Sequence, residues 1–461
     1  MSVLLSFSCS KESDSIVEKV QAEETLAPQE PTTSSEDNTL GGNAPGNGNN
    51  EDCNIAFDDS DAANMLPVTK SVNLTAEQEE YVNSNNDFAF NFYRCLCSSA
   101  GMKGKSNITS PLSLSIVLGM LNEGAQGQTA NEISSLIGFS GWGKTAINGF
   151  FRTLMEELPM VDESVTLKIA NMVAYDKKVT MEDAYVKNVT ENYQAETPQL
   201  DFTIAKNTAD YINDWCNKKT EGMVPEVVTE EDINENTILA FLNAIYFKAT
   251  WSNKFDSKYT LNETFMGTVG QQSVPMMHRK AMIEYAQNGT YAMVNLPYGG
   301  GDKWSMKVLL PNEGKTVNDI ITSLTTNTWK TACQQFMPYI VDLKLPRFKT
   351  RSAMELNSLL AEMGITTMFD KREADFSPIT KNLKKNDGKA LWVSLVKQVA
   401  ATEVSEEGTK LAAITTATAE TDGSVVNIDN KVYFHANRPF VYIVQEASSG
   451  IICFIGVFQG S

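Results

Sequence analysis

One stretch near the end of the chain constrains the fold more than any other. Residues 402–430 read TEVSEEGTKLAAITTATAETDGSVVNIDN and lie between two apolar runs with the look of strands, 391–396 and 432–444. A connection of that length is uncommon inside a compact domain and is usually functional or disordered. From Thr409 to Thr421 it is almost wholly Thr, Ala and Ile, with charges only at Lys410 and Glu420 and with neither Pro nor Gly. β-Branched residues suit a pleated surface. This connection therefore has the makings of a strand, and the rest of the chain must offer it a sheet to join.

At 461 residues and 42% hydrophobic content the chain has ample material for a large core. The net charge of −19 argues against nucleic acid or an anionic membrane surface as partner. That charge is uneven: residues 1–66 hold 13 Asp and Glu against 2 Lys, leaving 44 acidic and 36 basic residues for the remainder. The acidic N-terminal part is rich in Glu, Ser, Asn, Thr, Pro and Gly, and cannot bury enough apolar surface to offset its ordering entropy. Residues 10–68 are therefore expected to form a disordered spacer. Ahead of them stands MSVLLSFSCSKE, an apolar stub with small residues just before a cysteine. It looks like the end of a bacterial lipoprotein signal, residues 1–9, with Cys9 as the acylation site. No stretch of about 18 apolar residues exists to span a bilayer. The only membrane association expected is through that N-terminal lipid, which would place the protein outside the cell or at its surface, anchored to a bacterial outer membrane.

Seven cysteines and two histidines show no spacing that makes a metal set, and neither metal nor cofactor is expected. The thiols read as free or buried. Phe88, Phe92 and Leu96 recur at helical spacing. Ser110 can cap a helix whose first position suits Pro111. Alternation marks 165–175 as a strand, and the run 239–251, LAFLNAIYFKATW, reads as a strand covered on both faces. Helices alternating with strands, with no solenoid-length repeat, argue for one mixed α/β domain of the α+β kind over 69–461.

Residues 406–409, Glu-Glu-Gly-Thr, followed by small residues, and then 434–440, FHANRPF, ahead of an apolar strand, resemble the reactive-loop hinge and signature of the serpin family. Further matches follow in the family's order: VPMM at 274–277, LPY at 296–298, LLP at 309–311, LPRF at 345–348, MGI at 363–365 and ADFS at 374–377. The resemblance spans residues 75–461. It implies the serpin fold, a multi-stranded central sheet with surrounding helices and an exposed reactive-centre loop. It also implies a suicide-substrate inhibitor of serine endopeptidases, with cysteine endopeptidases as a second class. In that reading the hinge comprises Glu406, Glu407, Gly408, Thr409, Leu411, Ala412 and Ala413. Ser110, Ser113, Asn243 and Gln398 would form the shutter beneath the sheet, with Gln398 where the family commonly has His, and Trp251 would lie in the breach where insertion begins.

Counting from Gly408 as in the family puts the reactive bond between Asp422 and Gly423. The preceding Ala-Glu-Thr-Asp resembles substrates of Asp-specific proteases of the granzyme B or caspase kind. Glu420 is the alternative for a Glu-specific enzyme, and Thr418, Ala419, Val425 or Val426 for an elastase-like one. Cleavage would free the first half of the loop, and about 15 residues added as a strand at about 3.3 Å each would carry an acyl-linked protease roughly 50 Å. Alternate residues face the core in a strand. Thr409, Leu411, Ala413, Thr415, Ala417 and Ala419 would turn inward, and none of them is charged. Leu411 and Ile414 are bulkier than the family prefers. A Ser-His-Asp hydrolase is excluded because His435 belongs to the signature and His278 has no nucleophile-elbow sequence around it. The rival is a non-inhibitory serpin acting as a binding or chaperone module. A monomer is expected, without a heparin-like cofactor.

Overall fold

The computed structural model describes residues 2–8, 68–233, 236–385, 391–409 and 431–460, and their strands fall into two sheets. The first contains β1 (Ser2–Ser8), β3 (Thr166–Asp176), the two-residue β4 (Ala195–Glu196) and β5 (Gln199–Leu200), β6 (Thr237–Thr250), β12 (Phe348–Glu355), β13 (Trp392–Ser405) and β14 (Gly408–Thr409). The second contains β2 (Asn107–Thr109), β7 (Leu261–Gly267), β8 (Gly270–Gln287), β9 (Tyr291–Tyr298), β10 (Trp304–Pro311), β11 (Met337–Pro346), β15 (Lys431–His435), β16 (Phe440–Glu446) and β17 (Ile452–Phe458).

The apolar run 239–251 is the middle of the first sheet, as a strand covered on both faces should be. Residues 237–247 of β6 are all buried. Its odd-numbered Leu239, Phe241, Ile245 and Phe247 belong to the main core. Phe247 there meets the rings of Tyr298, Trp304 and Phe454 from the second sheet, which joins the two sheets. The even-numbered Ala240, Leu242 and Ala244 belong to a second cluster with Ile212, Trp215 and Cys216.

Those last three residues lie on α6 (Ala205–Lys219), which covers the outer face. The main core takes helical residues from α1 (Ala76–Ser98), α2 (Pro111–Gly124), α3 (Gly127–Leu136), α4 (Lys144–Glu157), α5 (Asp183–Tyr193), α7 (Val317–Ser323), α8 (Thr326–Gln334) and α9 (Asn357–Glu362). α1 starts at a capping box between Thr75 and Gln78, and its Phe88 and Phe92 rings stack at 5.8 Å. The hydroxyl of Ser110 accepts from the backbone N–H of Ser113 at 3.1 Å, with Pro111 in the first turn of α2. Both halves of the expected cap are present.

Three elements differ from the sequence reading. The run 391–396 is only the start of a longer strand, because β13 continues past Gln398 and Thr402 to Ser405. The run 432–444 is broken into β15 and β16 at Pro439, which has no N–H for a ladder. β15 pairs parallel with β11, whereas β16 pairs antiparallel with β10 and β17. Residues 2–8, read as a leader outside the domain, form β1 within the first sheet, antiparallel to both β6 and β13. A short apolar segment satisfies its backbone groups at once when it enters a sheet with a neighbour on each side.

Candidate functional site

Two hydrogen-bonded groups lie along the seam between β6 and β13. At its upper end the chain leaves β13, turns through Glu406 and Glu407, and re-enters as β14. Gly408 pairs with Ser405 and Thr250, and Thr409 with Val404 and Ala249. Gly408 has φ +141°, and a Cβ there would stand 2.2 Å from the carbonyl oxygen of Ala249. Only glycine fits both the backbone conformation and the close approach.

Each residue of this turn is held. The buried Glu406 carboxylate accepts from Arg347 Nε at 3.0 Å, from a second Arg347 nitrogen, and from Thr260 Oγ1 at 2.7 Å. Burial acts to raise its pKa, but the hydrogen bonds from Arg347 and Thr260 outweigh burial and leave the carboxyl below the ordinary glutamate range. Glu407 pairs with Lys254 at 2.6 Å and its carbonyl accepts from the backbone N–H of Trp251 at 2.9 Å. The indole of Trp251 donates to the Ser405 carbonyl at 2.9 Å and stacks on Tyr298 at 4.5 Å. The hydroxyls of Tyr298 and the buried Thr409 are 2.6 Å apart. Burial pushes the Tyr298 phenol up, so this contact is between two neutral hydroxyls.

The second group lies lower in the seam and consists of fully buried polar side chains. Gln398, on β13, accepts from Thr109 Oγ1 and donates from Nε2 to the Ser110 carbonyl at 3.0 Å. Ser113 Oγ donates to Asn243 Oδ1 on β6, and Asn243 Nδ2 donates to Asn171 Oδ1 on β3 at 2.7 Å. Asn171 Nδ2 donates in turn to the Tyr193 carbonyl at 2.5 Å. With Ser110 capping Ser113, these bonds form one relay from β13 through the start of α2 to β6 and β3. The relay links β13 to β6 through the start of α2. Gln398 thus makes hydrogen bonds where the family commonly places His.

The structure brings Glu406, Glu407, Gly408, Thr409 and Trp251 together at one end, and Ser110, Ser113, Asn243 and Gln398 together at the other. Leu411, Ala412, Ala413, Ala419, Glu420, Asp422, Gly423, Val425 and Cys9 lie outside the described residues. Sequence reasoning assigned no role to Tyr298, Arg347, Thr260 or Asn171. Tyr298 and Arg347 stand inside short motifs that carried the resemblance, and Asn171 is a polar residue in an otherwise apolar strand stretch, a signal that can be read. Thr260 left no such signal.

A third group brings the chain's two histidines to one carboxylate, with Nε2 of His278 and of His435 each 3.0 Å from Asp342 Oδ1. Burial acts to raise the Asp342 pKa, and the hydrogen bonds from His435 and His278 outweigh it, leaving a net lowering. This cluster fastens β15 to β11 just beyond the loop.

A family model described as Serpin (serine protease inhibitor) matches residues 83–459. The chain belongs to the serpin family. Among its relatives, mouse antithrombin-III is 31% identical over 386 residues, covering 82% of this chain and 81% of that protein. An uncharacterised serpin-like protein of Thermococcus kodakarensis is 29% identical over 399 residues, covering 86% of this serpin and 90% of the relative. Among solved structures, human thyroxine-binding globulin complexed with its hormone superposes with a TM-score of 0.73 at 26% identity, over 84% of this chain and 99% of that one. The thermophilic serpin tengpin in its native state shares the fold, with a TM-score of 0.74 over 85% and 96% of the two chains. Serpins are commonly protease inhibitors, and the relatives include a leukocyte elastase inhibitor from Xenopus tropicalis, 30% identical to this serpin.

Proposed function

We propose that this serpin is an inhibitory one, trapping a serine endopeptidase as an acyl-enzyme by inserting its cleaved loop between β6 and β13. The observation that carries this reading is the position of Gly408 and Thr409, which already occupy the top of that seam, with Thr409 turned toward Tyr298 in the core. Continuing the same register puts Leu411, Ala413, Thr415, Ala417 and Ala419 level with Phe247, Ile245, Asn243, Phe241 and Leu239, the β6 residues on the inner side. All five are uncharged, so no charge is buried unpaired by insertion. The outward positions Ala412, Ile414, Thr416 and Thr418 fall on the side of α6.

The target class follows from the loop. Cleavage between Asp422 and Gly423 suits an Asp-specific protease, whose pocket would carry a basic group for the carboxylate. The tests at Glu420, Ala419 and Val425 are a Glu-specific and an elastase-like enzyme. Acylation at Cys9 would display the inhibitor at a bacterial outer surface. The experiment mixes the protein with granzyme B, a Glu-specific protease, elastase and trypsin, and seeks denaturant-stable complexes. The mass of the C-terminal peptide released in denaturant identifies the bond.

The second reading, a serpin whose loop is cleaved without trapping, draws on Leu411. In the continued register Leu411 falls level with Phe247 and Thr402, beside a cavity of about 20 Å³ that these residues line with Ile245, Ala401 and Thr409. Leucine is bulkier than the small residues the family prefers in the early hinge, and extra bulk in a packed interior forces neighbouring side chains to shift. Cleavage by all four enzymes with no complex, in the unsubstituted chain and equally in Leu5→Asp and Leu4→Pro chains, would favour this reading.

A further inference from the structure

The lower half of the seam is already occupied. β1 runs antiparallel to β6, with Ser2 opposite Ala244, Val3 opposite Asn243, Leu4 opposite Leu242 and Leu5 opposite Phe241. On its other side the same residues face Val399, Gln398, Lys397 and Val396 of β13. Val3 therefore stands in register between Asn243 and Gln398, the members of the polar relay on β6 and on β13.

β14 enters the seam from the top in the same direction, because it too is antiparallel to β6 and to β13. Extending its register from Thr409, which faces Ala249 and Val404, puts Ile414 opposite Ala244 and Val399. Those are the partners of Ser2. Thr415 then takes the partners of Val3, Thr416 those of Leu4, and Ala417 those of Leu5. Both neighbouring strands give the same correspondence independently. Residues 245–248 of β6 and 400–403 of β13 separate the two occupants, and the small cavity below Thr409 lies there.

The geometry points to β1 as an intramolecular plug that competes with residues 414–421 of the reactive loop for one strand position in the sheet. A sheet position admits one backbone, so the loop cannot pass residue 413 until β1 leaves. With β1 seated, a protease cutting the loop finds insertion blocked, and hydrolysis of the acyl bond outruns trapping. Displacement of β1 arms the inhibitor. β1 ends at Ser8, directly before Cys9. Maturation of a lipoprotein at that cysteine would remove β1 whole and leave the seam to the loop. The competition has its effect on trapping only on the inhibitory reading above, on which that part rests, whereas occupancy of the seam does not.

The test uses the full chain, unsubstituted and as Leu5→Asp and Leu4→Pro. The first variant puts a charge into a strand between two buried strands, and the second removes a backbone donor. Amide exchange, uptake of a synthetic peptide of residues 409–421, and the share of protease encounters ending in a stable complex are measured together. In the unsubstituted chain the amides of residues 3–7 are expected to exchange at least tenfold more slowly than in the free peptide, and the peptide is not taken up. In both variants the seam-facing amides of 239–243 and 395–399 exchange faster, the peptide is taken up, and the trapped share rises. Free-peptide exchange rates at residues 3–7 of the unsubstituted chain would overturn the plug without recourse to any variant, as would peptide uptake equal in all three proteins. Altered exchange and uptake with no trapping by any of the three would sink the inhibitory reading and leave the plug standing.

Discussion

The hydroxyl of Thr409 lies 2.6 Å from that of Tyr298, whose ring is stacked on Trp251. On the proposed insertion, the contact would fix which way the strand faces, because every second residue after Thr409 would inherit its side of the sheet. Thr409→Arg would bury an unpaired cation beside a neutral phenol, at a cost of several kcal/mol. Made in the Leu5→Asp background, in which β1 no longer holds the seam, the change should leave cleavage of the loop in place and abolish denaturant-stable complexes. Trapping at the level of Leu5→Asp alone would refute insertion in this register.

Gly408→Ala tests the turn that presents Thr409. The new Cβ would meet the Ala249 carbonyl and force a residue with a side chain into φ +141°. A loss of about 1–3 kcal/mol is expected from the backbone strain alone, measured by denaturant unfolding of the uncleaved protein. An unchanged midpoint would mean that β14 is not seated in the ground state.

The Glu406 clamp sets a pH dependence. Its folded-state pKa is depressed, so the stability it contributes is fully present above the unfolded value of about 4.3. That contribution is lost as the pH falls through the lower folded-state value. Trp251 fluorescence should report loosening of the hinge in that acidic window. Glu406→Gln, which keeps the shape and gives up the charge-assisted pair with Arg347, should show the loosened signal at neutral pH.

Gln398→Ala would leave the Thr109 hydroxyl and the Ser110 carbonyl without their buried partner, costing about 1–3 kcal/mol. It should also let the sheet open more readily, so that a loop peptide is taken up faster. A stability loss without faster uptake would assign Gln398 to the core and not to the seam.

Leu411→Ala addresses the bulkiest of the alternate residues that would turn inward on insertion. The smaller residue should raise the trapped share of encounters and leave the rate of loop cleavage unchanged. An unaltered ratio of complex to cleaved product would show that the bulk at this position is not what limits insertion.

The alternation of uncharged residues from Thr409 onward was legible from composition alone, and the structure agrees at the one inward position it describes, Thr409. β6 was equally legible, because a run of thirteen residues of which ten are apolar leaves few alternatives to a strand covered on both faces. Asn243, Gln398 and Trp251 were recognisable only through resemblance. A buried polar side chain has no sequence periodicity, and its partners come from strands far apart in the chain. Tyr298 and Arg347 were missed for the same reason, since each meets the hinge across a long stretch of intervening sequence. β1 escaped because an apolar stub ahead of a cysteine reads equally well as a leader, and what makes it a strand is a place between two others. The split at Pro439 could have been read, as a proline inside a strand pattern argues for an end there.

The two ends of the reactive loop are rooted in different sheets, β14 in the first and β15 in the second. A cut at residue 422 would therefore leave the C-terminal piece interwoven, with β15 against β11 and β16 between β10 and β17. The nicked protein would still be a single particle, a non-covalent heterodimer of unequal chains. It should show one mass under native conditions and two only after denaturation, so a native gel would miss the scission altogether.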